Sequence, residues 1–357
     1  MMTDSTKMIR FNKMNGCIQD QYKLCKSLYL IKKETDKRNR VKREQGDDLK
    51  NLTYMCIFAK PCHISKLFGP FMKLPLYTTI TSLRGHNKNG KCMCVAFHEN
   101  KLYTGSSYDH NIHIWNTETN NEIACLIGHH GWVDCITLHQ NKLYSGGFDR
   151  TIRVWNTETH EEIAILRGHT DWVRCIAYFN KKLYTGSCDK TIRIWNTETY
   201  EQIAILRGHE RICCLAVLGK KMYYGSNVGT IHVWNTETYE EIAILSGHTD
   251  WVCCLTLHKN KLYSGTYDGT IHVWNTETYE KITTLEKDSL SSCVKSIVIH
   301  NNNLYSGTYQ HIHVWNIETY KKIAIMRGHK NQIHNLTIHK NKLHSSELNG
   351  TIRVWKI

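Results

Sequence analysis

Seven tryptophans, Trp115, Trp155, Trp195, Trp234, Trp274, Trp315 and Trp355, fall 40, 40, 39, 40, 41 and 40 residues apart. A period this regular constrains the chain more than its length does, because a repeat of roughly 40 residues is one supersecondary unit that must stack on copies of itself. Within each unit the apolar residues alternate over strand-length runs, as in "WVRCIAYF", "KLYTGS", "TIRIW" and "EQIAIL" of the third. Alternation with a period of two puts one set of side chains on each face of a strand. The runs are separated by turn sequences: "NKL" or "NKKL", then "FDRT" or "CDKT", then "NTET". Asn and Asp suit such places because their side chains bond nearby backbone and tolerate left-handed conformations. Each unit is therefore predicted to be a four-stranded antiparallel meander.

A single four-stranded sheet has two faces to cover and two open edges. Radial stacking of seven sheets buries both faces of each and leaves only short edges at the rim. Gly-His pairs precede the units, ending at His86, His129, His169, His209, His248 and His329, and a tryptophan lies near the end of each. In this respect residues 76–357 closely resemble the WD-repeat β-propeller family. The resemblance implies an all-β fold, a seven-bladed propeller of four-stranded antiparallel blades. One departure is uniform: Asn follows the tryptophan in six units and Lys356 in the seventh, where the family has Asp. The last unit stops at "TIRVWKI", without a fourth strand, while "LYTTITSLRGH" before the first unit is a fourth strand without a blade. Residues 78–83 are thus expected to complete the seventh blade, as in the family.

The formal charge of +14 is unevenly distributed: residues 1–75 carry 16 Lys/Arg against 7 Asp/Glu, the remainder 30 against 25. Basic character belongs to an N-terminal extension, residues 1–75, rather than to the repeat. In it, Ile18, Tyr22, Cys25 and Tyr29 sit near helical spacing, predicting a helix over about 18–44 in an otherwise disordered segment. The run "KRNRVKR", 37–43, reads as a solvated charged helix face, with nuclear import or phosphate binding as the alternative. Five of the fifteen cysteines recur at one place in the repeat, Cys94, Cys135, Cys175, Cys214 and Cys254, too far apart between neighbouring sheets to bridge. With no secretory leader in "MMTDSTKMIRFNKMNG", they read as small buried thiols in a reducing compartment, which predicts a cytoplasmic or nuclear protein. No run of 18 apolar residues is present.

His129, Ser145, Asp149 and Trp155 recur at equal spacing as His169, Thr185, Asp189 and Trp195, and as His248, Ser264, Asp268 and Trp274. Ser/His/Asp sets invite a hydrolase reading. An enzyme needs one such set, however, and here it repeats, with a looser version in the first unit. In WD-repeat propellers these positions resemble an internal hydrogen-bond network, so the sets are assigned to structure and no catalytic residue is expected. His311 and His313 form an H-x-H without further donors at ligand spacing, so no metal or cofactor is expected.

The face bearing the loops after Gly-His carries Trp132, Trp172 and Trp251, with Asp134, Arg174 and Cys253 beside them, Phe148, Cys188 and Tyr267 next to the network Asp, and Arg211 in the fourth unit. Trp, Tyr and Arg combine large contact area with a directional polar group and dominate binding hot spots. The predicted function is a non-enzymatic, monomeric scaffold or adaptor that binds a peptide or protein there. The alternatives are a substrate receptor for phosphorylated peptides in a ubiquitin ligase or kinase-targeting complex, supported by Arg174 and Arg211, and nucleic-acid association through the basic extension. On the opposite face Lys101, Lys142, Lys182, Lys221, Lys261 and Lys342 and the glutamates of the "NTET" turns are expected to form solvated rings of opposite charge.

Overall fold

The computed structural model describes residues 79–84, 92–285 and 293–357, which form 28 β-strands and no helix. The helix expected over 18–44, the basic run 37–43 and His86 lie outside the described residues. The strands make seven four-stranded antiparallel sheets. In chain order these are blade 1 (92–126), blade 2 (133–166), blade 3 (173–207), blade 4 (212–245), blade 5 (252–285), blade 6 (296–327) and blade 7 (333–356 with 79–84). The first strands of successive blades are neighbours in space, and that of blade 7, Ile333–His339, packs against that of blade 1, Cys92–His98. The sheets therefore close into a seven-bladed β-propeller.

Burial falls from the axis to the rim as this packing requires. The second strand of a blade is covered on both faces by its neighbours, and in Lys142–Gly147 every residue after the lysine is buried. The fourth strand lies at the rim: in Glu162–Leu166 only Leu166 is fully buried. Near the axis adjacent sheets come so close that small residues are needed. A Cβ at Gly225 would lie 2.6 Å from Val252 and 2.7 Å from the Cys214 sulfur. The repeated cysteines occupy this crevice, and the thiols of Cys94, Cys135, Cys214 and Cys254 donate to the carbonyls of Val133, Val173, Val252 and Val294 in the next blade, at 3.4, 3.6, 3.2 and 3.4 Å. All are free thiols.

Blade 7 takes its outer strand from the other end of the repeat region. Thr79–Arg84 pairs antiparallel with Thr351–Lys356, Thr81 opposite Val354, Leu83 opposite Ile352 and Arg84 opposite Thr351, with a bulge between Thr79 and Thr81. The strand begins one residue later than the pattern implied. It covers an edge that would otherwise be a row of unpaired backbone groups, and the paired ladder offsets the entropy of closing a long loop. In the "NTET" turns the residue after tryptophan works through its side chain: Asn156 Oδ1 accepts from the N–H groups of Glu158 and Thr159, at 2.7 and 3.0 Å. That role needs one acceptor oxygen, so Asn can stand where the family has Asp.

The solvated lysine ring expected from the sequence is corrected by the structure. Lys101, Lys142 and Lys221 are partly buried and donate to the carbonyls of Thr157, Thr197 and Thr276 in the next blade, at 2.7, 3.1 and 2.6 Å. Lys182 and Lys261 donate to the hydroxyls of Tyr239 and Tyr320, again one blade on, at 2.9 and 2.7 Å. Four of these ammonium groups stand 4.7 to 5.2 Å from the ring centroids of Tyr200, Tyr239, Tyr279 and Tyr320. A cation held between two sheets by a carbonyl or a tyrosine hydroxyl, in four seams beside an aromatic ring, is a clasp, stronger than a rim ion pair. The turn glutamates do remain at the surface, where Glu118, Glu158 and Glu277 accept from Asn100, Asn141 and Asn260.

A chain starting at residue 86 should lose the outer ladder of blade 7. Hydrogen exchange of the 351–356 amides should then rise by about a hundredfold over that in a chain starting at residue 77, because local opening no longer has to break that ladder. Equal protection in the two chains would show that the ring is held shut elsewhere.

Candidate functional site

The repeated polar set lies inside the blades. In blade 2, Trp155 Nε1 donates to Ser145 Oγ at 2.9 Å, Ser145 Oγ lies 2.8 Å from His129 Nε2, and His129 Nδ1 lies 2.9 Å from Asp149 Oδ2. A carboxylate only accepts, so Nδ1 carries the proton, and in the neutral ring Nε2 accepts from the serine hydroxyl. Blade 3 repeats the chain through Trp195, Thr185, His169 and Asp189 at 2.9, 2.8 and 2.8 Å. Ser145 and Thr185 are completely buried. A hydroxyl so placed meets no substrate, and the set ties the second and third strands to the loop that carries the histidine and the turn that carries the Asp. Burial alone would raise the Asp149 carboxyl, but His129, the His130 N–H and Thr151 together hold it well below the usual carboxylate range.

Blades 4 to 7 depart from this arrangement, and of the set blade 6 keeps the bond from Trp315 to Ser306, at 3.1 Å. In blade 5, His248 Nε2 meets Ser264 at 2.6 Å and Trp274 donates to the same oxygen, but Asp268 does not reach the histidine. Its carboxylate instead accepts from Thr266, Thr270 and Thr249, and Thr270 Oγ1 stands 3.3 Å from His248 Nδ1. His248 stacks on His272, centroids 3.8 Å apart. In blade 7 Glu347 takes the role of the Asp: it lies 2.6 Å from His329 and accepts from Arg353 and the Lys330 and Asn331 N–H groups. In blade 4, Tyr224 stacks flat on His232 at 4.6 Å, and His232 bonds to Glu241 and Thr230.

The predicted contact residues divide into two groups at one end of the ring. Trp132, Phe148, Trp251 and Tyr267 are exposed around the mouth of the central channel, and Trp172 is half-buried. Trp132, Phe148 and Trp172 form a continuous ridge across blades 2 and 3, with centroids 5.5 and 4.0 Å apart, and Trp251 stands 6.2 Å from Tyr267. Asp134, Arg174 and Cys253 lie on the wall of the channel, around a cavity of about 240 Å³ shared with Trp251, Cys213, Lys295 and His334. Each is the second or third residue past the loop, where the strand turns its side chain to the axis. Arg174 pairs with Asp134 at 3.2 Å, so it is not a free cation. Burial raises the Asp134 carboxyl even with Arg174 and Lys295 beside it. Arg211 is exposed, its N–H bonded to Asn227.

Three further residues of this end were not singled out from the sequence. Tyr108 and Tyr309 are exposed at the position that Phe148 and Tyr267 hold in their blades, which the repeat alignment would have revealed. Lys295 reaches over the Tyr267 ring at 5.4 Å. At the rim of blade 1, His113, Glu122 and Cys125 bring ligand atoms within 4.8 Å of one another, but the ring nitrogens of His113 already meet Glu122 and Asp109, at 2.7 and 2.8 Å. His311 and His313 gather no third donor among the described residues.

Two measurements test the buried sets. Ser145→Ala strands both the His129 and the Trp155 nitrogens and should cost about 3 kcal/mol, whereas Ser306→Ala, whose hydroxyl takes Trp315 alone among the described residues, should cost about half that. Equal losses in chemical denaturation would show that the histidine bond contributes nothing.

The second is acid unfolding. Burial lowers His248 to about 3 and His272 to about 4, from 6.5. The unfolded chain therefore binds protons first, and stability should fall as pH drops from about 6.5 towards 4. Asp268 and Glu347, held at about 2, add a second loss between about pH 4 and 2. A melting temperature that stays flat from pH 7 to 4 would contradict the first step.

The model of the family described as "WD domain, G-beta repeat" matches residues 77–116, 120–156, 160–196 and 239–275. The unmatched units end at Trp234, Trp315 and Trp355, and these lack the Asp of the buried set. No curated protein matches the chain. Among solved structures, a crystal structure of the computationally designed Ika8 protein superposes with a TM-score of 0.64 at 25% identity, over 78% of this chain and 100% of that one. Four matched repeats, the buried Trp-Ser/Thr-His-Asp sets and seven four-stranded blades lead to one conclusion: the chain is a WD-repeat β-propeller.

Proposed function

We propose that this propeller is a non-enzymatic protein-interaction scaffold whose peptide or protein partner docks on the aromatic end of the channel. The observation that carries the reading is the ring of exposed aromatic side chains there, Tyr108, Trp132, Phe148, Trp251, Tyr267 and Tyr309, each 38 to 59% exposed. Exposed aromatic residues concentrated on one face mark a contact surface, because leaving them in water forgoes burial that a partner would supply. WD-repeat propellers typically bind proteins or peptides, which agrees with this placement. The repeat explains how such a surface can vary. The strands, turns and buried sets hold the blades, so loop residues are free to differ from blade to blade.

The channel adds a chemical preference. Lys295 and Arg174 line it and only Asp134 offsets them among its neighbours there, so an acidic or phosphorylated side chain entering from the partner is favoured over a basic one. The test is peptide selection on the intact chain. Selected peptides should lose affinity by at least about a hundredfold with Trp132→Ala/Trp251→Ala and stay unaffected by Glu240→Ala at the far rim. Peptides that bind the double variant as well as the parent would place the docking surface elsewhere, and a preference for basic over acidic or phosphorylated peptides would refute the role given to Lys295.

A further inference from the structure

Between successive blades the lysine clasp is completed by a ring. The last residue of the "NTET" turn is His160 in blade 2 and Tyr200, Tyr239, Tyr279 and Tyr320 in blades 3 to 6, all with positive φ between 58 and 64°. A tyrosine is an uncommon choice for a left-handed position. Its ring closes the gap to the preceding blade and meets that blade's lysine. Blade 1 has Asn120 there, exposed, in the same left-handed turn at φ 61°. On the other side of the same seam, blade 7 has His344 where the other six blades have a buried tyrosine, from Tyr103 to Tyr305.

Two smaller residues facing one seam leave a cavity of about 180 Å³, walled by Phe97 and Leu102 of blade 1 and by His339, Lys342 and His344 of blade 7. A cavity of about 150 Å³ suffices for one benzene ring. Its polar groups are specific. His344 is 7% exposed and neither ring nitrogen has a hydrogen-bond partner among the described residues. Burial, with His339 and Lys342 nearby, holds its pKa near 4, so the ring is neutral and offers one donor and one acceptor. Buried polar atoms left unpaired are costly, and a ligand that pairs them recovers that cost. Among the described residues Lys342, unlike the lysines of blades 1 to 5, makes no bond to the next blade. Phe97 lies 4.3 Å from the His344 ring and 4.8 Å from His339, giving an aromatic wall. A wider groove of about 240 Å³ lies between blades 3 and 4, but there Lys182 is already bonded to Tyr239 and a tyrosine, Tyr184, stands in place of the histidine.

We propose that the cavity between blades 7 and 1 binds a phenol ring, whose hydroxyl donates to His344 and accepts from Lys342, as the Tyr239 and Tyr320 hydroxyls accept from Lys182 and Lys261 in their own seams. The ligand is the ring that the repeat supplies elsewhere and blade 1 does not. This site is separate from the channel mouth and stands or falls independently of it.

The experiment is calorimetric or NMR titration of the full chain with p-cresol and N-acetyl-L-tyrosinamide, against toluene and N-acetyl-L-phenylalaninamide, which lack the hydroxyl. The phenols should bind at least about tenfold tighter than their hydroxyl-free partners, because a site with buried polar groups rejects the analogue that leaves them unpaired. Asn120→Tyr, which gives blade 1 the residue of blades 3 to 6, should abolish phenol binding and raise the melting temperature. His344→Phe should weaken phenol binding at least about tenfold and leave toluene binding in place. Tighter binding of the tyrosinamide than of p-cresol assigns the ligand to a tyrosine of a polypeptide, and the reverse order assigns it to a free phenol. No binding of either phenol, equal binding of p-cresol and toluene, or unchanged p-cresol binding to the Asn120→Tyr chain overturns the proposal.

Discussion

The backbone ladder between Thr79–Arg84 and Thr351–Lys356 is the constraint on which the rest of this structure depends. Seven sheets placed side by side bury their faces only if the last packs against the first, and the first strands of blades 7 and 1 do so. Each sheet would be marginal alone, since both of its faces are apolar. Joining the two ends of the repeat in one sheet converts a row of neighbours into a ring, in which no blade is terminal and no polar capping unit is needed. The ladder bonds backbone to backbone, so it places few demands on side-chain identity. The central channel and the ring of loops around it exist only because this closure holds.

Given closure, stability and recognition occupy different layers of each blade. The buried Trp-Ser/Thr-His-Asp sets fix the loop before a blade to its second and third strands, and the lysine clasps fix each blade to the next. Neither uses the loop tips. Trp132, Phe148, Trp251 and Tyr267 can therefore face solvent without a structural function, which is the condition for a surface to be shaped by a partner. The ion pair of Asp134 with Arg174 is the exception, because it lies on the channel wall, where a side chain serves both packing and recognition.

The blades, their strands and the closing segment were legible because they follow from periods: two residues for a strand, about 40 for a blade. The buried sets were legible for the same reason, since their members recur in register. What was not legible lies between registers. Lys142 bonds to Thr197 and Lys182 to Tyr239, partners 55 and 57 residues away, so aligning repeat on repeat never places them in one column. Glu347 was missed because it reaches His329 from two residues before the aligned position, a shift that its longer side chain allows. Asp268 illustrates the converse: it stands in the expected column, yet Thr270 intervenes between it and His248. Spacing put Asp134 and Arg174 beside the tryptophans, whereas both line the channel cavity, because spacing alone does not say where a strand turns inward.

The same reasoning locates where the ring is held most lightly. Five seams carry a lysine clasp, from blade 1 through blade 6. The seam between blades 6 and 7 has Asn303 in place of the lysine, and no "NTET" turn joins the third and fourth strands of blade 7, because its fourth strand comes from 79–84. The seam between blades 7 and 1 keeps Lys342 but has Asn120 opposite it. Blade 7 thus lacks the lysine-to-turn clasp on both sides and is held by its ladders, by apolar contacts of Trp355 and Leu343 with Ile312 and Val314 of blade 6 and of Ile352 with Cys92 and Leu102 of blade 1, and by scattered polar bonds such as Leu336 N–H to Ser296 and Lys340 to Asn100. Closing a ring through a strand exchanged between its ends removes the turn that would have carried a plug. The blade that makes closure possible is therefore also the one whose flanks are least sealed, and the cavity beside His344 lies on one of them.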